Sequence, residues 1–186
     1  MAIFDRRHFI KTSIAGAALT TIGGCTSKVS AIGAETFDNK KAKLNISFQE
    51  GTAPGKNLNE KFDFMEKHGV VGFEPGGNAL KNRVKEFKDA LKGRNIKVSA
   101  ICARFEGFIL STDETIRKKC RDTMNEIIEA AGDLGSTGVI IVPAFNSQIP
   151  VMPHTQETRD FLCEQFNEMG NYAQKFGTTV IFEPLN

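Results

Sequence analysis

The strongest constraint on the fold is a unit of one helix and one strand that recurs along the chain from Leu44. Four segments with helical periodicity each end at a glycine, and an apolar run suited to a buried strand follows almost at once. Glycine is favoured just after a helix because it has no Cβ to clash in the left-handed conformation. Such a repeat predicts a parallel sheet covered by helices. The glycines are Gly69, Gly93, Gly135 and Gly177.

The repeat predicts five strands separated by four helices. The strands are predicted at 44–48, 70–74, 97–103, 138–143 and 178–183. Helices are predicted near 59–68, over 80–91, from a capping box at 111–114, and after a cap at Thr155. Their inner faces are predicted to carry Phe62, Met65, Phe87, Cys120, Ile127, Phe161, Leu162, Phe166, Met169 and Phe176.

Two architectures accommodate these units, an open doubly wound sheet and the first part of a (β/α)8 barrel. A whole barrel takes about 250 residues, whereas 44–186 comprises 143. The last strand has no helix after it, and the loop 49–55 lacks the spacing of a dinucleotide fingerprint. The sequence therefore predicts an α/β protein with an incomplete (β/α)8 TIM barrel, about the first five strands and four helices.

The first 24 residues are predicted to be a targeting segment rather than part of the fold. The run from Asp5 to Lys11 contains paired arginines, and small apolar residues follow to Gly24. This pattern resembles the signal of the twin-arginine export route. At roughly a dozen residues the apolar part is short for a membrane span, which needs about 20. The alternative is a short membrane anchor.

Cys25 follows Ile22-Gly-Gly in a pattern that resembles a bacterial lipobox. Lipidation of Cys25 is therefore predicted, with an ordinary cleavage site as the alternative. Residues 25–43 are small and polar, as in a linker, and 44–186 forms the barrel domain. The predicted location is the periplasm or, through a lipid anchor, the membrane surface.

Charge and cysteine content exclude some classes of protein. The chain has 24 basic and 22 acidic residues, and without the signal it has 21 of each. This balance argues against a nucleic-acid partner. Apart from Cys25, the cysteines show neither a disulfide framework nor zinc spacing, so they are predicted to be buried, inert thiols. They are Cys102, Cys120 and Cys163.

Two carboxylates stand at predicted strand ends, each in a Phe-Glu-Pro triplet. Glu74 ends the second strand and Glu183 ends the fifth. The carboxyl ends of parallel strands form one edge, where α/β enzymes place their reactive groups. Glu183 is predicted to be the base, with a salt-bridged glutamate as the alternative. Glu74 is predicted to face the same pocket, with a structural ion pair as the alternative.

Three further residues are candidates for binding a substrate. Arg104 follows the third strand and is suited to a polyol or a phosphate. His154 lies in the loop after the fourth strand, where a solvated histidine is the alternative. Asn186 follows Glu183-Pro-Leu and is predicted to orient the loop or contact the substrate.

Three segments together resemble the xylose-isomerase-like TIM barrels, a group of sugar isomerases, epimerases and dehydratases. They are Val-Gly-Phe-Glu74-Pro-Gly-Gly, Gly-Val-Ile-Ile-Val-Pro143 and Val-Ile-Phe-Glu183-Pro-Leu-Asn186. The resemblance implies that Glu183 binds a divalent metal and also acts as acid and base. It also implies Asp, His and Glu ligands on later strands, which this sequence does not include.

The function implied by the resemblance is metal-dependent isomerisation or epimerisation of a small sugar or polyol through an enediolate. The metal is expected to be Mg²⁺, Mn²⁺, Co²⁺ or Zn²⁺. This chain by itself is expected to be inactive, because one carboxylate cannot hold a divalent ion in a defined geometry. Membrane contact is expected only through the signal or lipid anchor, and open strand edges allow pairing with a second copy.

Two alternatives remain at this point. One is a non-catalytic sugar-binding lipoprotein built on the same barrel. The other is a metal enzyme similar to abasic-site endonucleases, which the export signal and the balanced charge oppose.

Overall fold

A computed structural model describes residues 44–184 of the protein. The predicted signal, the linker with Cys25, and Asn186 lie outside these residues. Within them, no helix combines the length and apolar character needed to cross a membrane. In chain order the elements are β1 (Ser47–Gln49), α1 (Leu58–Lys67), β2 (Gly72–Glu74), α2 (Leu80–Leu91), β3 (Lys97–Val98), β4 (Ile101–Cys102), α3 (Glu114–Asp133), β5 (Val139–Ile141), α4 (Gln156–Gln174) and β6 (Val180–Phe182).

All paired strands are parallel, and each lies beside the next one in the chain. Phe48 of β1 is opposite Phe73 of β2, which is opposite Val98 of β3. On the other side of the break between β3 and β4, Ile140 of β5 is opposite Ile181 of β6. Strands that follow one another in chain order are typical of a barrel, whereas a doubly wound sheet reverses its order. The TIM-barrel prediction is confirmed.

The third predicted strand is interrupted by a bulge. The N–H of Ser99 donates to the carbonyl of Phe73 at 2.9 Å, and the N–H of Cys102 donates to the carbonyl of Pro75 at 3.1 Å. One strand therefore advances by three residues while its neighbour advances by two, which inserts one extra residue. Ile101 donates to Gly138 on the other side at 2.9 Å, so β3 and β4 together connect the two halves of the sheet. A bulge redirects the side chains that follow it, here those around Arg104.

The core lies between the sheet and the helices, and aromatic rings form much of it around β2. Phe73 is fully buried, with its ring centroid 4.9 Å from that of Phe62 and 6.0 Å from that of Phe87. The predictions that Phe62 and Phe87 belong to the core are confirmed, as are those for Met65, Ile127 and Met169. The predicted face of α4 is less well covered: Phe161, Leu162 and Phe166 are half-buried, and 38% of Phe176 is exposed.

The glycine pattern predicts the C-terminal ends of the helices correctly, whereas one of the predicted N-terminal caps is wrong. All four predicted glycines adopt positive φ, between 65° and 77°. Thr155 caps α4 by accepting the N–H of Thr158 at 3.3 Å. The predicted cap of α3 at Ser111 is wrong, because Asp113 accepts the N–H of Thr115 at 2.7 Å. Ser111 is buried instead, and its hydroxyl accepts the N–H of Asp113.

The three cysteines of the described region differ in exposure, so the prediction that all are buried is wrong. Cys120 is fully buried and burial raises the pKa of its thiol to about 12, although Arg121 acts weakly in the opposite direction. Cys163 is exposed and Cys102 is half-buried. Only Cys120 therefore has the character of an inert buried thiol.

We expect brief treatment with iodoacetamide at pH 8 to alkylate Cys163 and spare Cys120. The thiolate is the reactive form, and burial disfavours it at Cys120. Peptide mass spectrometry measures both sites, and the same treatment in urea should label both. Equal labelling of Cys120 and Cys163 in the folded protein would contradict the burial seen here.

Candidate active site

The carboxyl ends of the strands place four charged side chains at one end of the barrel. Glu50 directly follows β1, Glu74 ends β2, Arg104 follows β4 and Glu183 follows β6. Two of the cavities at this end are lined by these glutamates. The first, here called the Glu74 cavity, has a volume of about 340 Å³. The second, the Glu183 cavity, has a volume of about 450 Å³. Cys102 and Arg104 line both, so the cavities adjoin.

Glu183 is held by the continuation of the sheet beyond β6. Its N–H donates to the carbonyl of Ile141 at 3.0 Å, which fixes the backbone next to the cavity that it lines. Among the described residues, no lysine, arginine or histidine forms a salt bridge with its carboxylate. The predicted alternative of a salt-bridged glutamate is therefore not observed in this part of the chain. The Glu183 cavity also has apolar walls, formed by Phe105, Ile140, Val142 and Phe145.

Glu74 is half-buried and faces the neighbouring cavity. Its Oε1 accepts a hydrogen bond from Nε2 of Gln49 at 2.8 Å. Between residues 44 and 184 Glu74 has no salt bridge either, so the predicted alternative of a structural ion pair is not observed in this part of the chain. The exposed Arg104 lies where the two cavities meet. The structure therefore brings Glu74, Arg104 and Glu183 to one end of the barrel.

An ion pair that the sequence did not reveal supports this end of the barrel. Arg83 of α2 donates to Glu50 through Nη2 at 2.6 Å and through Nη1 at 3.2 Å. The N–H of Gly76 also donates to Glu50, at 3.3 Å. Burial by itself would raise the pKa of Glu50, but the hydrogen bonds and charge of Arg83, together with Gly76 and Lys61, hold it below its ordinary value. Through these hydrogen bonds, Glu50 connects the loop after β1 to α2 and to the loop after β2.

Glu50 could have been found from the sequence, because it lies two residues after the predicted strand 44–48, whereas Glu74 and Glu183 end their predicted strands. Arg83 carries no such signal, since it is one of several basic residues on the outer surface of a predicted helix.

We expect Arg83→Gln to lower the free energy of unfolding by about 1–2 kcal/mol at pH 7, between the values for exposed and fully buried pairs. The lowered pKa of Glu50 means that the pair stabilises the fold above the ordinary pKa of 4.5 and that this contribution is lost as the pH falls below it. The difference between wild type and variant should therefore shrink near pH 3. Urea titrations at both pH values measure it.

The matched control is Arg159→Gln, because Arg159 is exposed and donates only to Gln156 of its own helix. We expect this variant to stay within about 0.5 kcal/mol of wild type. If Arg83→Gln loses no more stability than Arg159→Gln, or if its loss does not depend on pH, the stabilising role of the pair is contradicted.

His154 is the remaining predicted site residue that falls within the described part of the chain. His154 is exposed at the start of α4 and lines neither the Glu74 cavity nor the Glu183 cavity. Asn186 and Cys25 lie outside the described residues.

The described region does not by itself assemble a metal site. Between residues 44 and 184, no three His, Cys, Asp or Glu side chains converge closely enough to hold an ion. Catalytic metal sites typically use three protein ligands. Glu183, as a carboxylate without a salt bridge in this region, is the candidate for one of them.

The sequence of residues 62–186 matches the protein family described as xylose isomerase-like TIM barrel. A curated relative, the 3-dehydro-D-guloside 4-epimerase of Escherichia coli K12, is 28% identical over 149 residues. The alignment covers 77% of this chain and 57% of that protein. The chain thus spans a little more than half the length of the curated relative that it matches. The predicted incompleteness of the barrel stays a prediction.

Solved structures show the same relationship. The apo form of an E. coli 3-keto-D-glucoside 4-epimerase superposes with a TM-score of 0.67 at 27% identity, over 77% of this chain and 57% of that one. A Methylomonas D-allulose 3-epimerase bound to D-allulose superposes with a TM-score of 0.63 at 17% identity, over 77% of this chain and 52% of that one. The IolI protein, solved with a zinc atom, superposes with a TM-score of 0.57 at 21% identity, over 75% of this chain and 51% of that one. The last two likenesses concern the fold alone.

Proposed function

The chain belongs to the xylose isomerase-like TIM barrel family, and from this premise we propose that the whole protein is a sugar epimerase acting next to a carbonyl group. The observation that carries the proposal is the Glu183 carboxylate. It lies at the carboxyl end of a barrel strand, lines a cavity and has no salt bridge within residues 44–184. A carboxylate in that position is suited to accept a proton from a bound sugar.

The names of the relatives suggest which sugar and which carbon. A 3-dehydro-D-guloside 4-epimerase and a 3-keto-D-glucoside 4-epimerase are both similar to this chain, at 28% and 27% identity. A guloside and a glucoside oxidised at C3 differ only at C4, so inversion at C4 interconverts them. We propose that the substrate is a hexoside oxidised at C3 and that the reaction inverts C4.

The carbonyl group at C3 makes the neighbouring C4–H bond acidic. Glu183 removes the C4 proton, and the electron pair of the broken C–H bond moves into an enediolate with negative charge on the C3 oxygen. The guanidinium of Arg104, at the edge of the same cavity, favours that charge. Inversion requires the proton to return from the opposite face, so a second acid across the sugar completes the reaction.

We further propose that the whole protein uses a divalent metal ion, with Glu183 as one ligand. The zinc atom in the structure of the similar IolI protein supports this proposal, as does the preference of Mg²⁺, Mn²⁺ and Zn²⁺ for carboxylate oxygen. Such an ion, when bound, supplies positive charge for the oxygens of the sugar. Ligands beyond Glu183 would come from outside the described residues.

The proposed location is the periplasmic side of the membrane, through the twin-arginine segment and lipidation of Cys25. Fractionation of cells tests it. The wild-type protein should remain with the membranes, and Cys25→Ser should appear in the soluble periplasmic fraction. An unchanged distribution would oppose lipidation at Cys25.

The enzymatic proposal is tested with methyl 3-keto-α-D-glucoside, the purified whole protein and each candidate metal ion. Proton NMR should show the C4 epimer appearing until the two sugars reach a constant ratio. A protein that binds the sugar without converting it would support a non-catalytic binding role instead. A protein that converts neither this compound nor free ketoses would overturn the proposal.

A further inference from the structure

We infer that the Glu74 cavity holds a second sugar ring, so that the substrate is an oxidised disaccharide rather than a monosaccharide or a simple alkyl glycoside. This inference rests on the proposed reaction at Glu183 and adds the chemical nature of the group attached at C1.

The first argument is the position of the two cavities. Both are lined by Cys102 and Arg104, so they lie side by side. In a pyranose ring, C1 and C4 are opposite corners. A ring with C4 beside Glu183 therefore directs its C1 substituent away from that carboxylate. The Glu74 cavity, which shares both Cys102 and Arg104 with the Glu183 cavity, offers space for that substituent.

The second argument is the polarity of that cavity. Its side chains carry carboxylate, guanidinium and amide groups, whereas several walls of the Glu183 cavity are apolar. Such groups suit hydroxyls, which donate to carboxylates and accept from guanidinium and amide N–H groups. An alkyl or aryl group at C1 offers these groups no hydrogen-bond partners beyond the ones that they already have. The polar side chains are those of Gln49, Glu50, Glu74, Asn78, Arg83 and Arg104.

The third argument is the charge balance. Glu50 and Arg83 neutralise each other through their hydrogen-bonded pair. Glu74 and Arg104 add one negative and one positive charge, so the lining has no excess of either sign. A phosphate would meet two carboxylates as well as two guanidinium groups, so the lining has no net positive charge to favour an anion. A neutral, hydroxyl-rich group fits best, and the volume of about 340 Å³ is within the range of small-molecule sites.

The polar groups are also held in position. Gln49 fixes one oxygen of Glu74 at 2.8 Å, and Arg83 with the N–H of Gly76 fixes both oxygens of Glu50. Groups that are ordered before binding cost less entropy when the ligand arrives. This order is expected for a site that recognises a defined ring.

The test compares two substrates that differ only in the group at C1, 3-ketotrehalose and methyl 3-keto-α-D-glucoside. We expect kcat/KM of the whole protein to favour the disaccharide at least about 10-fold, the value of one hydrogen bond to a charged group. Glu74→Gln should remove most of that preference by lowering kcat/KM for the disaccharide more than for the methyl glycoside. The matched control is Glu164→Gln, at an exposed position on α4, which should keep the full preference.

Binding of unoxidised trehalose, measured by calorimetry, separates this inference from the proposed reaction. If neither ketosugar is converted but trehalose binds and Glu74→Gln weakens it at least about 5-fold, the reaction is wrong and the second-ring site stands. If both ketosugars react equally well, or if the preference survives in Glu74→Gln, the inference is overturned and the reaction stands. A protein that neither converts the ketosugars nor binds trehalose overturns both.

Discussion

Replacing Glu183 with glutamine is expected to lower kcat of the whole protein by about 10²–10⁴-fold, the usual contribution of a positioned general base. The amide keeps the size of the side chain and its place at the end of β6, but it cannot accept the C4 proton. Steady-state kinetics with methyl 3-keto-α-D-glucoside measure the effect. Far-ultraviolet circular dichroism should show an unchanged fold, because the side chain is exposed and has no salt bridge in the described region.

The control for this variant is again Glu164→Gln, which makes the same chemical change on the outer surface of α4. We expect its kcat to stay within about 2-fold of wild type. A decrease of less than about 3-fold in Glu183→Gln would show that this carboxylate is not the base. The assignment of the reaction to the Glu183 cavity would then be wrong.

Replacing Phe73 with alanine is expected to lower the free energy of unfolding by about 3–5 kcal/mol. The ring is fully buried between Phe62 and Phe87, with centroid distances of 4.9 and 6.0 Å, so its removal leaves a cavity that the neighbours can only partly fill. Phe73 also directly precedes Glu74, so the same loss should loosen the end of β2 at the site. Urea titration followed by circular dichroism measures the change.

Phe182→Ala provides the comparison for Phe73, since 49% of Phe182 is exposed at the end of β6. Its loss removes less buried surface and should cost less than about 1.5 kcal/mol. Equal losses at the two positions would contradict the view that the aromatic cluster around β2 is the main core of the described region.

Helical periodicity predicted the features that depend on a single helix, namely its buried positions and its C-terminal end. The buried positions Phe62, Met65 and Phe87 followed from helical spacing, and positive φ at Gly69 and Gly93 followed from the need to end a helix. The prediction that Cys163 is buried is wrong, and the same spacing explains why. Cys163 lies one residue beyond Leu162 and so falls outside the stripe that contains Phe166, Met169 and Ala173.

Features that depend on two distant segments were not predictable in this way. The bulge between Ser99 and Cys102 is defined by which carbonyls of β2 accept their hydrogen bonds, and those partners leave no trace in the local pattern. The pair between Glu50 and Arg83 joins residues 33 positions apart on different elements. The choice of Asp113 over Ser111 as a cap depends on where α3 begins, which several polar residues allow.

The most direct test of the account is solvent exchange at C4. The whole protein is incubated in D₂O with methyl 3-keto-α-D-glucoside and a proposed divalent metal ion, and NMR follows the C2 and C4 protons against a sample without protein. We predict that deuterium enters C4 with the epimerisation, that C2 stays at the background rate, and that Glu183→Gln abolishes the C4 exchange. Epimerisation without deuterium at C4, or exchange that survives in Glu183→Gln, would contradict proton transfer by this carboxylate.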